Sequence, residues 1–573
     1  MDINFMKTIT NTCQKAEDVY SLIIMKDIMN TLMDLNTLID LNTLIDLNNL
    51  TRSILKQYSN CLTNKTSEDI IAEINKDLIF ENSEINKDNY SEKFYTILGR
   101  LYDRLKSLIE EKELWYLMSV LSMLELNRHL AAGVYLWSKK EEIKNDSSLL
   151  ILIIKFLETT NNVMDGETFL FFDEYFSIDK NALECIFPII YKQYHNNHNL
   201  MNKKNYSIYD IQIGMLLEIS KAILKIFALI DEYKKGDYRN KKLKIDSNGY
   251  FIYPSLSKKD KSEYYEYVLK NHSENDLDFM HQIDKAIEPL IGISSSNIEK
   301  LIKSSQYFDG LKDNEFIVEK KESFIEKMVE CCNIDKKSLN KIINYITYKV
   351  PQTYLDGKTH LDDKITRKGL INIENILIIP LNLLRVCLVN IYTDILSNQI
   401  ENKTIRKKLE KAFSINDENF EKKIYKMCKN ELEYSYIAKN IQQKAISFAK
   451  DTVELPGEID ILLLYKEILF VIECKNIATR TTVDTINSMR RELDNSYKTT
   501  SFQTKLLNKI KVLHENINIV SKYMKVNGNI KEVTGCIVIS GFYLQSKSKN
   551  SLCDVVTKEK LIDWIKKKCE NNN

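Results

Sequence analysis

Residues 457–476 read GEIDILLLYKEILFVIECKN and contain two apolar runs that end in charged residues. The runs Ile459–Leu464 and Ile468–Cys474 are rich in aliphatic residues, and the polar pair Lys466-Glu467 separates them. Short apolar runs of this kind favour strands. Charged side chains resist burial unless they are paired or bind a metal ion. The stretch therefore predicts a buried β-hairpin whose charged residues need partners.

The hairpin has a predicted register. With residues 466–467 as a two-residue tip, Asp460 lies opposite Glu473, and opposed residues are about 5 Å apart at Cβ. Glu473 and Lys475 are two apart and share one face, whereas Cys474 points into an apolar layer. Lys-Glu is not a favoured two-residue turn, so a four-residue loop with the same symmetry is an equal alternative.

Two neighbouring carboxylates repel each other unless a cation lies between them. Mg²⁺ prefers oxygen ligands and usually takes one or two protein carboxylates, with water and phosphate completing its shell. An ammonium group beside that metal can orient a water molecule and stabilise charge on phosphorus. Asp460, Glu473 and Lys475 therefore predict a Mg²⁺ site, in which Mn²⁺ can substitute, for phosphodiester hydrolysis. The alternative is a surface hairpin with a simple Glu473–Lys475 ion pair.

The arrangement Asp-x12-Glu-x-Lys at the end of an apolar hairpin resembles the PD-(D/E)xK nuclease superfamily, which has the restriction-endonuclease-like fold. The resemblance covers about residues 413–545. It implies that Asp460, Glu473 and the main-chain carbonyl of Cys474 hold the metal, and that Lys475 assists catalysis.

Many members of this superfamily carry a Glu on the helix before the hairpin. Glu421 in NFEKKIYKMCKN resembles that residue, and an ordinary solvated helix residue is the alternative. The sequence departs from the superfamily pattern at Pro456, which lies four residues before Asp460 instead of next to it. Glu458 lies between them and is an alternative metal ligand.

The C-terminal part of the chain is basic. Residues 401–573 carry a net charge of +9, whereas the remainder carries −8, and a basic part suits a polyanion. Some superfamily members also use polar residues of the helix after the hairpin to contact phosphate. The residues predicted to contact nucleic acid are Arg480, Arg490, Arg491, Gln503 and Lys505. A solvated helix face is the alternative for the basic ones.

Composition narrows the class of protein. The eleven cysteines include no CxxC pair, which predicts free thiols in a reducing compartment. The start of the chain has no signal-peptide pattern, and charges or Pro interrupt every long apolar segment. We therefore expect a soluble cytoplasmic protein with no membrane contact. No GxxxxGK loop occurs, which argues against an ATP-driven motor.

Helical periodicity dominates residues 90–350, most clearly at 209–233, where apolar residues recur at three- and four-residue steps before Gly236. Residues 168–176, TFLFFDEYF, are an exception that could be extended. The two short apolar runs within 370–379 predict a second β-hairpin, which Pro380 ends. A helix interrupted at that proline is the alternative.

These patterns predict an α+β multidomain protein: a large, mostly α-helical N-terminal region followed by an α/β restriction-endonuclease-like domain with a mixed central sheet. We predict a helical sensor or oligomerisation region at 1–365, a hairpin and helical connector at 366–412, and a nuclease domain at 413–573. The segment SINDEN, residues 414–419, is predicted to be a linker or helix cap, with a helix beginning near Asn419.

The expected function is Mg²⁺-dependent endonuclease cleavage of DNA, with RNA left open as a substrate. The resemblance further implies a role in bacterial restriction or anti-phage defence and a homo-oligomer. One alternative is an inactive nuclease-like domain that binds nucleic acid or scaffolds a partner. Another is a protein-interaction platform in residues 1–365.

Overall fold

The computed structural model describes most of the chain. The described residues are 3–34, 59–78, 84–138, 149–150, 153–154, 167–196, 211–235, 242–252, 277–305, 316–349, 364–373, 375–396, 400, 402–476, 501–526, 530–540 and 553–570. They divide into two compact units. The first takes the described part of 1–256 and 288–392, and the second that of 257–287 and 393–573. The predicted three-part domain division stays a prediction.

The first unit is mainly helical, as the periodicity predicts. The helices of the chain up to residue 396 are α1 (Ile3–Asp34), α2 (Ser67–Asp77), α3 (Tyr90–Ile109), α4 (Glu113–Ser138), α5 (Glu167–Asn196), α6 (Ile213–Lys235), α7 (Leu277–Ile291), α8 (Ser295–Ser305), α9 (Lys321–Cys332), α10 (Lys336–Ile346), α11 (Ile365–Lys368) and α12 (Leu381–Leu396). Residues 277–287 of α7 and 393–396 of α12 belong to the second unit.

Helix α6 shows why these segments are helical. Its apolar residues at three- and four-residue steps form one buried face, which includes Ile213, Leu216, Ile223 and Ile226. Burial of such a stripe stabilises a helix more than intrinsic propensity does. The helix ends at Lys235, directly before Gly236, as the sequence predicts.

Short strands complete the first unit. They are β1 (Glu84–Ile85), β2 (Leu243–Ile245), β3 (Phe251–Ile252), β4 (Phe316–Lys320), β5 (Ile371–Ile373) and β6 (Ile376–Pro380). The predicted hairpin at 370–379 is confirmed, because β5 and β6 pair antiparallel with Ile373 opposite Ile376. The extended interpretation of residues 168–176 is wrong. They lie inside the 30-residue helix α5, so the local cluster of aromatic residues does not form a strand.

The second unit contains the remaining α-helices and strands of the described chain. These are α13 (Lys403–Glu431), β7 (Tyr436–Ile441), β8 (Ile446–Phe448), β9 (Asp451–Val453), β10 (Ile459–Tyr465), β11 (Ile468–Lys475), α14 (Phe502–Glu515), α15 (Ile517–Tyr523), β12 (Glu532–Ile539), β13 (Asp554–Thr557) and α16 (Leu561–Glu570).

A mixed five-stranded sheet is the centre of the second unit, with strand order β13-β12-β11-β10-β7. The strands β7, β10 and β11 pair antiparallel, whereas β12 and β13 join in parallel. Each face of the sheet is covered by an apolar layer. Residues of α14 and α15 pack on one face, and residues of α13 and α16 pack on the other. The α+β class and the mixed C-terminal sheet are thus confirmed.

Helix α13 departs from the sequence prediction. It begins at Lys403 and continues through residues 414–419, so SINDEN is neither a linker nor a cap. The cap lies earlier, where the Asn402 side chain accepts hydrogen bonds from the amides of Thr404 and Ile405. Buried residues on both sides of SINDEN, Ala412 and Phe420, hold the helix continuous although Ser, Asn and Asp favour caps.

Two further findings bear on the cysteines and on the helices of the described residues. All eleven cysteines are free thiols, as expected. Among the helices in the described ranges, none combines the length and the apolar character that crossing a bilayer requires.

Candidate active site

The hairpin register follows the prediction. Strands β10 and β11 pair from Tyr465 opposite Ile468 to Ile461 opposite Ile472. One step further along this ladder, Asp460 and Glu473 are the next residues of the two strands. The turn has only two residues, so the longer loop does not occur. The apolar alternation of the strands thus brings two carboxylates to the same end of the hairpin.

The Asp460 side chain reaches across the end of the hairpin. Its Oδ2 accepts a hydrogen bond from the Cys474 amide at 2.7 Å. The Cys474 side chain lies in the apolar layer with α13, as predicted, and burial raises the pKa of its thiol. The thiol is therefore protonated and inert at neutral pH, which leaves only its main-chain carbonyl as a metal-ligand candidate.

Glu473 is held by a cation that the sequence interpretation did not assign to it. Only 7% of Glu473 and 5% of Lys509 is exposed, and the Lys509 Nζ donates to Glu473 Oε1 and to the main-chain carbonyl of Glu458. Burial and the nearby charge of Asp460 raise the pKa of Glu473 to about 7, against the opposing effect of Lys509. A metal ion bound to Glu473 would favour its ionised form and so lower this pKa.

Lys475 lies beside the same carboxylate. Its Nζ is 4.0 Å from Glu473 Oε2, and its side chain is 27% exposed. The ammonium group also lies 5.0 Å from the ring centroid of Phe502 on α14. Lys475 is therefore exposed enough to contact a bound phosphate and close enough to Glu473 to interact with its carboxylate.

Glu421 of α13 faces Asp460 across a cleft of about 530 Å³. Burial, followed by the charges of Asp460 and Glu458, raises the pKa of Glu421, and a hydrogen bond with the Asn440 side chain partly offsets this. Glu421 thus interacts with the carboxylates of Asp460 and Glu458, and its role in catalysis stays a prediction.

The cleft is strongly acidic. The residues that line it are Arg406, Glu410, Phe413, Ser414, Asp417, Glu418, Glu421, Asn440, Glu458 and Asp460. Six of them are carboxylates and one is a cation. Such a wall repels phosphate unless cations intervene.

The donors partly fit a Mg²⁺ ion. Asp460 and Glu473 offer the hard carboxylate oxygens that Mg²⁺ prefers, and two protein carboxylates suffice when phosphate and water fill the other positions. Within the part of the chain that the structure describes, no group of three or more His, Cys, Asp or Glu residues is arranged to hold a metal. A metal here would depend on substrate oxygens for its remaining ligands.

The predicted nucleic-acid contacts divide into three cases. Gln503 is fully buried on α14, so its side chain packs inside the unit and a phosphate contact does not fit this position. Lys505 is exposed two residues later, with its Nζ 5.9 Å from the Phe502 ring centroid. Arg480, Arg490 and Arg491 lie outside the described residues.

The sequence itself indicates that Lys509 lies on a buried face of a helix. Leu506, Lys509 and Leu513 are three and four residues apart and share one buried face of α14. A Lys on an apolar helix face needs an acidic partner. The sequence therefore indicates a buried cation at this position, although it does not say which carboxylate accepts it.

The mixed sheet with helices on both faces lies in a part of the chain that matches a family of the restriction-endonuclease-like PD-(D/E)xK superfamily. Residues 416–540 match the family described as "NERD: Nuclease-related domain". This match confirms the predicted superfamily resemblance for the C-terminal part and suggests a nuclease-like function there.

Comparison with solved structures finds the "Crystal structure of protein VC1899 from Vibrio cholerae". It is 11% identical, with 61% of this chain and 72% of that chain covered, and the TM-score is 0.14. A score this low carries no argument about fold or function. None of the curated proteins compared with the chain matches it significantly.

Proposed function

We propose that the second unit hydrolyses phosphodiester bonds of DNA with Mg²⁺, which Mn²⁺ can replace. The observation that carries the proposal is the convergence of Asp460, Glu473 and Lys475 at one end of a hairpin, with Glu421 facing Asp460. The side chains of Asp460 and Glu473 and the carbonyl of Cys474 would hold the metal.

Each residue has a chemical role in this proposal. The divalent cation, when bound, polarises the phosphate and makes a nearby water molecule more acidic. Lys475 donates hydrogen bonds to the phosphate oxygens and offsets the negative charge that grows on them. Glu421, whose pKa is raised by burial and by Asp460, orients the attacking water and can accept its proton.

Cleavage of supercoiled plasmid DNA by the full chain tests the proposal. We expect Asp460→Asn, Glu473→Gln and Lys475→Met each to lower the Mg²⁺-dependent rate by roughly 100-fold or more, the usual cost of removing one transition-state contact. Glu467→Gln is the matched control, because Glu467 is an acid of the same hairpin at its opposite end. This variant should cleave like the wild type.

Two outcomes would contradict DNA hydrolysis. Cleavage that survives in all three site variants would come from another site or a contaminant. Cleavage of a single-stranded RNA of matched sequence, without cleavage of the DNA, would make RNA the substrate. Circular dichroism of every variant shows whether the fold is kept.

A second candidate is a nuclease-like domain that binds nucleic acid without cutting it. The contact between Lys509 and Glu473 favours it, because an ammonium group holds a carboxylate oxygen that the metal would use. DNA binding together with a lack of cleavage in both Mg²⁺ and Mn²⁺ would support this candidate over the first.

The resemblance to PD-(D/E)xK nucleases, and no other observation, suggests a biological role in defence. We propose that the chain acts as a homo-oligomer in restriction or anti-phage defence, with residues 1–365 sensing a trigger or binding a protein partner. Light scattering of the full chain tests the oligomer. Phage infection of cells that express the wild type or Asp460→Asn tests defence, and equal protection by both would contradict a role for cleavage.

A further inference from the structure

The ring of Phe502 contacts two lysine side chains that come from different elements of the second unit. Phe502 is the first residue of α14. Lys475 Nζ, at the end of β11, lies 5.0 Å from the ring centroid. Lys505 Nζ lies 5.9 Å from the same centroid, because residues three apart share one face of a helix. One aromatic ring thus brings together an ammonium group of the candidate active site and one of α14.

The position of the Phe502 ring is fixed by the start of α14. The Ser501 side chain caps the helix and accepts a hydrogen bond from the Thr504 amide at 3.2 Å. Such a cap stabilises the first turn. Leu506, one turn after Phe502, is fully buried, and Phe502 itself packs against the apolar layer on this face of the sheet. The ring is therefore a fixed surface for the flexible lysine stems.

Lys475 is not held by a hydrogen bond with its neighbouring carboxylate. The distance of 4.0 Å between Lys475 Nζ and Glu473 Oε2 is too long for one. The other oxygen of Glu473, Oε1, accepts a hydrogen bond from Lys509. The negative face of an aromatic ring attracts an ammonium group within about 6 Å. Contact with Phe502 therefore restricts where the Lys475 ammonium group can lie.

We propose that Phe502 is a positioning residue that holds Lys475 against the phosphate to be cleaved and Lys505 against a neighbouring phosphate of the same strand. This inference rests on the proposed hydrolysis of DNA. The two ammonium groups place positive charge on the α14 side of the site, whereas the cleft that α13 lines carries six carboxylates. Phosphate is attracted to the first side and repelled by the second, so the substrate backbone lies along the α14 side.

Steady-state cleavage of a labelled DNA duplex by the full chain in Mg²⁺ tests the positioning role. Phe502→Leu keeps an apolar side chain but removes the ring, so it should lower kcat roughly 3- to 30-fold, the effect of losing one cation–ring contact. Phe502→Tyr keeps the ring and should stay within about twofold of the wild type. Lys505→Met should raise KM and leave kcat unchanged, because it removes a contact that ground state and transition state share.

A double variant shows whether Phe502 acts through Lys475. In the background of Lys475→Met, the further change Phe502→Leu should lower kcat no further, because the group that the ring holds is already absent. A purely structural effect of Phe502→Leu would lower kcat by the same factor in both backgrounds. Circular dichroism melting of every variant shows whether the fold is kept.

Anisotropy of the same duplex, with Ca²⁺ in place of Mg²⁺, measures binding without turnover. Phe502→Leu and Lys505→Met should both weaken binding, and Lys505→Met should reduce the salt dependence of Kd by roughly one counter-ion. Phe448→Leu is the matched control. It also removes a ring beside a lysine of the second unit, since Lys522 Nζ lies 5.9 Å from the Phe448 centroid, and it should bind and cleave like the wild type.

The outcomes separate this role from the proposed function. If the wild type cleaves DNA and Phe502→Leu cleaves equally well, the role of Phe502 is wrong and DNA hydrolysis stands. Equal losses in Phe502→Leu and Phe502→Tyr, or in Phe502→Leu and Phe448→Leu, would also overturn it. A wild type that does not cleave DNA overturns the proposed function and this role together. If Phe502→Leu does not fold, Lys505→Met decides, because a wild-type KM in that variant contradicts the pairing of the two lysines.

Discussion

At the residue scale, the decisive contact of the candidate site is between Glu473 and Lys509. The sequence could predict Asp460, Glu473 and Lys475 together, because strand periodicity alone sets which side chains meet across a hairpin. It could indicate that Lys509 is buried, because the periodicity of α14 is clear. It could not identify the partner of Lys509, because the way a helix packs on a sheet depends on tertiary contacts that no local pattern encodes.

Lys509 should compete with a metal ion for Glu473. An ammonium group on one carboxylate oxygen satisfies the charge of Glu473 and repels a second cation nearby. In Lys509→Met, the two neighbouring carboxylates lose this cation, so we expect a loss of about 3–5 kcal/mol and a melting temperature roughly 6–20 °C lower without metal. Added Mn²⁺ should raise the melting temperature of this variant more than that of the wild type. Thermal unfolding by circular dichroism, with and without Mn²⁺, measures both effects.

Lys505→Met is the matched control for this prediction. It removes an exposed Lys from the same helix, one turn earlier, and should behave like the wild type. If Lys509→Met loses its response to Mn²⁺ as completely as Glu473→Gln does, Lys509 organises the site instead of competing for it. A wild type without any Mn²⁺ response would count against the proposed metal site itself.

At the element scale, the hairpin was predictable and helix α13 was not. Two apolar runs around a polar pair leave few registers that bury both runs, so the pairing follows from the sequence. Residues 414–419 of α13 have the composition of a cap, and local propensity alone would end the helix there. Apolar contacts on either side, through Ala412 and Phe420, override that preference.

The tip of the hairpin retains some strain. Lys466 and Glu467 both have left-handed backbones, with φ of 47° and 65°, as a tight two-residue hairpin turn requires. Asn accepts this conformation more readily than Lys. We expect Lys466→Asn to stabilise the second unit by about 0.5–1 kcal/mol, measured by urea unfolding. Lys466→Gln removes the same charge without the preference for a left-handed backbone, so a gain of equal size in this variant would assign the effect to charge.

At the scale of the whole molecule, the net charge of the C-terminal part and the charge of the cleft beside Asp460 have opposite signs. Residues 401–573 carry +9, which suggests attraction for nucleic acid. However, the described cleft beside Asp460 is lined by six carboxylates and one Arg. Composition reports the sum of charges, and only the fold shows where they lie. The same limit explains Gln503, whose polar side chain indicated a surface role although the fold buries it.

This charge arrangement predicts that DNA binding at the cleft depends on divalent cations. Without metal, the carboxylates repel the phosphate backbone, and a divalent cation bound by Asp460 and Glu473 offsets part of this charge and attracts phosphate oxygens directly. We expect a fluorescently labelled duplex to bind the full chain more tightly in Ca²⁺ than in EDTA at equal ionic strength, measured by anisotropy. The difference should shrink in Asp460→Asn.

Removing negative charge from the exposed wall of the cleft, which Glu410 and Glu418 form, tests the same repulsion from the other side. Glu410→Gln with Glu418→Gln should strengthen binding in EDTA, because two repulsive charges are removed while the proposed metal ligands stay. The matched control is Glu431→Gln with Glu433→Gln, which removes two exposed acids that do not line the cleft. Equal gains in the two double variants would show a general effect of net charge on association. A gain confined to the cleft variant would place the DNA backbone against the wall that Glu410 and Glu418 form.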